Sequence, residues 1–149
     1  IRDREMEEQI IRDTVISILK IGYKINDELS SLFKKFDISL PQFNVLRILR
    51  GQKGKPANLS TIQERMVHKM SNTTRLIDKL IQKGFVKRNI CENNRRKIEI
   101  YITNSGLQLL DSIDDLLNSK ESFILKKLKL DEKKELIRIL SKIQTTQVN

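Results

Sequence analysis

Consecutive cations suited to binding a polyanion stand in the middle of this 149-residue sequence. Arg95, Arg96 and Lys97 have no acid beside them, and they lead into a segment where apolar and polar residues alternate. That alternation is the period of a half-buried strand, so the cations are predicted at the tip of a β-hairpin. Like charges there repel each other, and a bound polyanion offsets the repulsion. The tip therefore predicts contact with a narrow, electronegative minor groove, and a solvated loop tip is the alternative.

A second group of residues that could contact DNA opens a predicted helix. It comprises Ser71, Asn72, Thr73, Thr74 and Arg75, with Lys79 one turn further on. We expect Ser71 to cap this helix, and residues of its first turn to reach base edges in a major groove. Asparagine suits adenine there, and threonine suits a thymine methyl group or a phosphate. The alternatives are that Ser71 and Thr74 only cap and cover the helix end, and that the two cations form a solvated ion-pair face with Asp78.

The net charge of the chain is concentrated in its middle third. Residues 47–97 carry 14 Lys and Arg against 3 Asp and Glu, a net charge of +11. Residues 1–46 carry 7 against 8, and residues 98–149 carry 8 against 8. A basic centre within a neutral frame indicates a polyanion-binding module held by a separate scaffold.

The two ends of the chain are predicted to be helical. A heptad-like spacing runs through the first segment at Ile11, Val15, Ile18, Gly22, Ile25, Leu29, Leu32 and Phe36. This stripe either faces the core of the chain or also packs against a second subunit. From Ser105 onward the sequence predicts one long helix, with apolar positions from Leu107 to Leu128, and another helix that Asp131 caps.

Capping and turn signals divide the basic centre into short elements. The segment Ser39–Gln42 predicts a capping box with a proline in the first helical turn. The segment Ser60–Gln63 repeats the pattern and predicts a short helix that ends near Val67. A turn at His68–Met70 then joins this helix to the next one, which makes a helix-turn-helix. Within this turn, His68 and Lys69 are expected near phosphate. A β-hairpin directly after a helix-turn-helix is a wing.

Residues for catalysis or metal binding are scarce in this sequence. His68 is the only histidine and Cys91 the only cysteine, so we expect neither an internal disulfide nor a metal site. Cys91 is interpreted as an inert thiol, with a redox switch assisted by neighbouring arginines as the alternative. Without a phosphate-binding glycine loop or a nucleophile–base pair, we expect neither an enzyme nor a cofactor. No apolar run is long enough for a membrane span and no signal peptide is evident, so a cytoplasmic protein is expected.

Three stretches of the sequence resemble the MarR family of winged-helix transcriptional regulators. "LPQFNVLRIL" (40–49) is similar to that family's second helix, "TTRLIDKLIQKGFVKR" (73–88) to its recognition helix and first wing strand, and "NRRKIEIYIT" (94–103) to its wing. The sequence departs from the family at Thr73, where an apolar residue is usual, and at Lys87, where an acid is common. It also departs at Asn94, which replaces the aspartate of the wing motif.

The predicted fold is mainly α-helical with a small β-hairpin wing. Residues 37–104 would form the winged helix-turn-helix, and residues 1–36 and 105–149 a helical dimerisation region, as one structural unit. The resemblance implies a homodimer on a pseudo-palindromic double-stranded operator, and a repressor released by a small, often phenolic or anionic, ligand bound near Phe36 and Phe43. The alternatives are a non-specific architectural DNA-binding protein and a protein–protein adaptor that uses the heptad-like stripe.

Overall fold

The computed structural model describes residues 1–68, 72–91 and 93–147, and for residues 91, 95 and 96 it describes the backbone alone. Its elements, in chain order, are α1 (Arg2–Lys34), α2 (Leu40–Gly51), α3 (Leu59–Arg65), α4 (Thr73–Gln82), β1 (Val86–Cys91), β2 (Asn94–Ile102), α5 (Asn104–Ile124) and α6 (Leu130–Gln144). The two strands pair antiparallel as a hairpin. The predicted mainly helical fold with a β-hairpin wing is therefore confirmed.

The hydrophobic core lies around α2 and joins the middle of the chain to α5. Its fully buried side chains are Phe33, Val45, Leu46, Leu49, Ile62, Ile77, Leu80, Leu110 and Ile113. The rings of Phe33 and Phe43 stack with their centroids 4.3 Å apart, which fixes the end of α1 against α2. Burial of this many large apolar side chains supplies the main favourable term that holds the short helices in place.

Within the described part of the chain, helix α1 is buried only near its C-terminal end. Residues 1–24 are all exposed, whereas Leu32 and Phe33 are buried. The exposed part carries an apolar surface made of Ile10, Ile11, Val15, Ile18, Leu19 and Ile21. The heptad-like stripe thus faces the core at one end and is uncovered in the single chain at the other.

An ion pair attaches α1 to α5. The Lys120 Nζ atom donates to Glu28 Oε2 at 2.8 Å. This hydrogen bond, together with the charge of Lys120, lowers the pKa of the Glu28 carboxyl below its usual value.

The helix starts follow local capping chemistry, with shifts from the predicted positions. The capping box at Ser39 is confirmed, because the Gln42 backbone N–H donates to Ser39 Oγ at 3.2 Å and Gln42 Oε1 accepts from the Ser39 N–H at 3.0 Å. The predicted cap at Ser60 is wrong, because Asn58 Oδ1 accepts from the Thr61 N–H at 2.7 Å and α3 begins earlier. Near the C-terminus, α5 ends at Ile124, and Asp131 lies in the first turn of α6 instead of capping it.

The hairpin is longer than predicted. Strand β1 reaches Cys91 and β2 already begins at Asn94, so residues 94–96 belong to the strand and not to the loop before it. The register is regular from the Val86–Ile102 pair to the Ile90–Ile98 pair, and then shifts before Cys91. A further backbone bridge joins Ala57 to Ile100, which fixes the inner strand to the start of α3.

A close junction connects the base of the hairpin to α5. Thr103 caps α5 and stands two residues before Ser105, where the helical region was predicted to begin. Its Oγ1 atom accepts from the Gly106 N–H at 3.1 Å and donates to the Gly84 carbonyl at 2.7 Å. A Cβ atom at Gly106 would lie 2.5 Å from the Phe85 carbonyl oxygen. The backbone of α5 can approach the hairpin this closely only because residue 106 has no side chain.

Candidate nucleic-acid interface

Helix α4 separates a buried face from a polar face. Ile77 and Leu80 are buried in the core, together with Met66 from the end of α3. The exposed residues of α4 and its cap are Asn72, Thr74, Arg75, Lys79 and Gln82. Residues 75, 79 and 82 recur at helical spacing, so they form one stripe on the outside of the helix. This stripe is the surface that α4 offers to a partner.

Asn72 begins α4 and is its N-cap. Its Oδ1 atom accepts from the Arg75 backbone N–H at 3.2 Å. The prediction that Ser71 caps this helix is therefore wrong, and Ser71 itself, like Lys69, lies outside the described residues. The cap uses one of the two lone pairs of the Asn72 amide oxygen, so this oxygen can still accept a second hydrogen bond.

Thr73 does not belong to the exposed stripe. Thr73 is only 2% exposed, and it is as buried as Ile77 and Leu80 on the inner side of α4. The physical reason is its position in the first turn, one helical turn before Ile77 on the same face. We therefore remove Thr73 from the set of predicted DNA contacts. The sequence held a signal for this, because the resemblance places an apolar residue at the position.

Asp78, the acid on α4, pairs with the hairpin and not with the cations Arg75 and Lys79 of its own helix. Asp78 Oδ1 accepts from Arg88 Nη1 of β1 at 3.2 Å. Among the described residues, no ion pair or side-chain hydrogen bond involves the side chains of Arg75 or Lys79, and both are exposed. The alternative of a solvated ion-pair face around Asp78 is therefore not what the structure has. Two uncompensated cations on one helical face attract a polyanion.

The hairpin adds further cations beside α4. Lys97 is exposed, and the backbones of Arg95 and Arg96 lie in β2, while their side chains are outside the described part of the structure. Further toward the base of the hairpin, Lys87 Nζ stands 5.3 Å from the centre of the Tyr101 ring, the cross-strand partner of Lys87. A cation over an aromatic face is a favourable contact that leaves part of the ammonium accessible.

His68 is exposed at the end of the described segment that precedes α4. Its placement between α3 and α4 agrees with the predicted turn. The predicted contact of His68 with phosphate stays a prediction.

A cleft of about 410 Å³ opens between α1, α2 and α5. Phe43 lines it as predicted, but Phe36 does not, because Phe36 packs against the core, and Phe33 takes the lining position. At one wall, Arg50 Nη1 donates to both carboxylate oxygens of Asp114, at 2.8 and 3.1 Å. Sequence reasoning missed this pair, since the two residues are 64 positions apart and neither stands in a recognisable pattern.

Two other kinds of site are missing from the described part of the chain. Among the helices of residues 1–68, 72–91 and 93–147, none is long and apolar enough to cross a membrane. The same residues include no group of three or more His, Cys, Asp or Glu side chains that could hold a metal ion.

A helix-turn-helix followed directly by a β-hairpin, with free cations on the second helix, is a winged helix-turn-helix, an architecture of DNA-binding proteins. The model of the MarR family matches residues 38–98. The HTH-type transcriptional regulator PecS of Dickeya dadantii is 27% identical over 150 residues, covering 99% of this chain and 87% of PecS. The uncharacterized HTH-type transcriptional regulator YfiV of Bacillus subtilis is 32% identical over 111 residues, covering 74% of this chain and 68% of YfiV.

Solved structures show the same fold. A MarR mutant from E. coli complexed with operator DNA superposes with a TM-score of 0.79 at 23% identity, covering 89% of this chain and 94% of that one. Bordetella bronchiseptica BpsR, whose DNA binding is regulated by 6-hydroxynicotinic acid, gives a TM-score of 0.77 at 15% identity, covering 87% and 91%. The chain belongs to the MarR family and is a DNA-binding transcriptional regulator of that family. Because its relatives are transcriptional regulators, the prediction that it is not an enzyme is confirmed.

Proposed function

We propose that the protein is a homodimer that binds a pseudo-palindromic operator and represses transcription until a small ligand releases it. The observation that carries the proposal is the outer stripe of α4, where Arg75 and Lys79 are exposed without an acid partner in the described chain. Residues at the start of such a helix read base edges, and the cations bind phosphate. The relatives PecS and YfiV come from bacteria, and bacterial chromosomal DNA lies in the cytoplasm. We therefore place this protein in the cytoplasm.

The proposed DNA contacts come from three parts of the molecule. Asn72, Thr74, Arg75 and Lys79 would enter the major groove, with Ser71 beside them. His68 and Lys69 would lie near phosphate, and Arg95, Arg96 and Lys97 would reach the adjacent minor groove. Operator DNA in the complex of the E. coli MarR mutant supports this use of the fold.

Uncovered apolar surface supports the homodimer. Exposed apolar side chains concentrate on α1 and α6, for example Ile11, Val15, Leu136 and Ile139. Contiguous apolar surface of this kind is unfavourable in water and marks an interface. A second copy of the chain is the occupant that would also place two α4 helices on one duplex, as a two-fold operator requires.

The cleft beside Phe43 supports a ligand. It is open, and its apolar wall includes the stacked Phe33 and Phe43 rings. Arg47 supplies positive charge at this wall, whereas the charge of Arg50 is balanced by Asp114. A pocket of a few hundred Å³ with a few polar groups suits a small molecule, and an anionic aromatic compound matches its chemistry. BpsR, with its 6-hydroxynicotinic acid, supports the same class of effector. The protein then leaves the operator, and repression is relieved, if the ligand favours the state that does not bind DNA.

Selection from random duplexes at physiological salt tests the DNA part of the proposal. We expect an enriched pair of half-sites about 10 bp apart or a multiple of this, because two-fold related helices meet the same face of the duplex. An Arg96→Ala variant should lose roughly 1–3 kcal/mol of binding and its preference for A·T-rich flanks. Equal binding of selected and random duplex would favour an architectural protein instead. No binding to any duplex at low salt would favour the protein–protein adaptor.

Sedimentation tests the proposed homodimer, and ligand titration tests the proposed release from DNA. The full chain should sediment as a dimer, and an aromatic acid such as 6-hydroxynicotinic acid or salicylate should weaken operator binding. The Arg47→Ala variant should lose the response to ligand while it still binds the operator. A monomer bound to DNA would contradict the proposed homodimer. Unchanged release by ligand in the Arg47→Ala variant would contradict the proposed ligand site in the cleft.

A further inference from the structure

The hairpin carries an apolar pair that its own chain leaves uncovered. Ile90 of β1 and Ile98 of β2 are direct cross-strand partners, so their side chains lie side by side on one face. Ile90 is 65% exposed and Ile98 is 38% exposed. Nearer the base of the hairpin, the same face is buried, with Val86 and Ile100 each 2% exposed. The apolar face of the hairpin therefore continues beyond the core that it covers.

Arg88 shows where this face points. It lies between Val86 and Ile90 on the same side of β1, and its guanidinium reaches Asp78 on α4. The uncovered pair thus stands on the side of the hairpin that looks toward α4. When α4 enters a major groove and the hairpin reaches the neighbouring minor groove, the DNA strand between the two grooves passes along this side.

The surroundings of Ile98 fit that strand. Ile98 lines a shallow groove of about 420 Å³ whose other members include Asn58, Ser60, Asn94 and Lys97. An apolar floor with amide, hydroxyl and ammonium groups around it matches a surface that has both C–H groups and anionic oxygens. Deoxyribose and phosphate together provide this surface.

We propose that Ile90 and Ile98 pack against the deoxyribose backbone of bound DNA and contribute affinity that does not depend on salt. The inference rests on the proposed binding of double-stranded DNA. It differs from the cation contacts in its physical signature: phosphate contacts release counterions and steepen the salt dependence, whereas apolar burial does not. Because every duplex has the same sugars, the contribution acts on specific and non-specific DNA alike.

The first test removes the apolar surface and keeps the strand. Threonine is also β-branched, so Ile90→Thr with Ile98→Thr preserves the strand preference of both positions. We expect roughly tenfold weaker binding, about 1.4 kcal/mol, both to the selected operator and to a mixed-sequence duplex, with an unchanged slope of log K against log salt. The matched control is Asn89→Thr, a change on the opposite face of the same strand, which should bind like the parent.

Two further variants keep the test valid if threonine disturbs the hairpin. Ile90→Leu with Ile98→Leu adds the apolar surface back and should restore most of the affinity. The chain has no tryptophan, so Ile90→Trp provides a single fluorescent reporter at the contact. Addition of duplex should shift its emission to shorter wavelength and reduce its quenching by acrylamide at least twofold, while Asn89→Trp should change less.

The outcomes separate this inference from the proposed function. If the parent protein binds duplex DNA and the double threonine variant binds equally well, the contact with deoxyribose is refuted and the proposed function stands. A weaker affinity that arises only from a smaller salt slope refutes it as well, because the loss is then electrostatic. If the threonine variant changes the sedimentation of the free protein and leaves DNA binding intact, the pair covers a second copy of the chain instead. If the parent binds no duplex, the proposed function itself fails, and this inference fails with it.

Discussion

Gly106→Ala should destabilise the protein although alanine favours helices. The added Cβ would lie 2.5 Å from the Phe85 carbonyl oxygen and 2.7 Å from Ile102 Cγ1. The first neighbour is backbone, so it cannot rotate away, and ordinary carbon–oxygen contacts begin at about 3.3 Å. The start of α5 and the base of the hairpin must therefore separate by nearly 1 Å, roughly the difference between these two distances.

The expected magnitude combines two opposed effects. Overpacking of this kind costs about 1–3 kcal/mol. Alanine returns up to about 1 kcal/mol through helix propensity and a less flexible unfolded chain. We therefore expect a net loss of about 1–2 kcal/mol in the free energy of unfolding.

Urea denaturation at fixed protein concentration measures this loss. With a slope of about 2 kcal/mol per M, in the middle of the usual range, the midpoint should fall by roughly 0.5–1 M. Gly51→Ala is the matched control, because a Cβ there meets nothing within 4 Å and the change should be neutral or slightly stabilising. If both variants unfold at the same midpoint, the close contact at Gly106 has no energetic weight and the reasoning is refuted.

Three other changes have defined outcomes. Arg75→Ala should lose roughly 1–3 kcal/mol of operator binding without a loss of stability, because its side chain has no partner in the described chain. The control Lys34→Ala, on α1, removes the same charge and should bind normally. A gel-shift titration at one salt concentration compares the two variants. Deletion of residues 131–149 should give monomer or aggregate in sedimentation, because it removes most of α6, and a well-behaved dimer would argue against the proposed assembly. Glu28 has a depressed pKa in the folded state, so its ion pair with Lys120 stabilises the fold above the unfolded pKa of about 4.3 and is lost as the pH falls through the lower folded value. Thermal melts from pH 6 to 3 should therefore show a smaller loss of stability in Glu28→Gln than in the parent, and identical pH profiles would contradict this.

Local patterns predicted the order of elements well. The capping box at Ser39 depends on residues three positions apart, so its signal is complete within the sequence. The starts of α3 and α4 were misplaced by one or two residues for a related reason. Asn58 and Asn72 stand close to serines, all of these residues are good caps, and the choice is made by packing of the buried face.

Contacts between distant segments could not be predicted in the same way. The assignment of Phe36 to the cleft was wrong, and Phe33 was missed. Which of these two phenylalanines faces the cleft depends on how the end of α1 packs against α2, where Phe33 stacks on Phe43. The pairing of Asp78 with Arg88 instead of its helical neighbours likewise depends on how the hairpin folds back on α4. The two halves of the heptad-like stripe have the same pattern in the sequence, yet one half is buried or half-buried and the other is exposed.

The division of α4 into a buried face and a polar face has a consequence for how such a regulator diverges after gene duplication. Thr73, Ile77 and Leu80 are held by the core, so their substitution is limited by stability. In the described chain, Arg75 and Lys79 have no side-chain partner, so substitutions there are close to neutral for folding. A duplicated copy can therefore acquire a new operator through a few substitutions on the outer stripe, provided that the new residues are compatible with a helix.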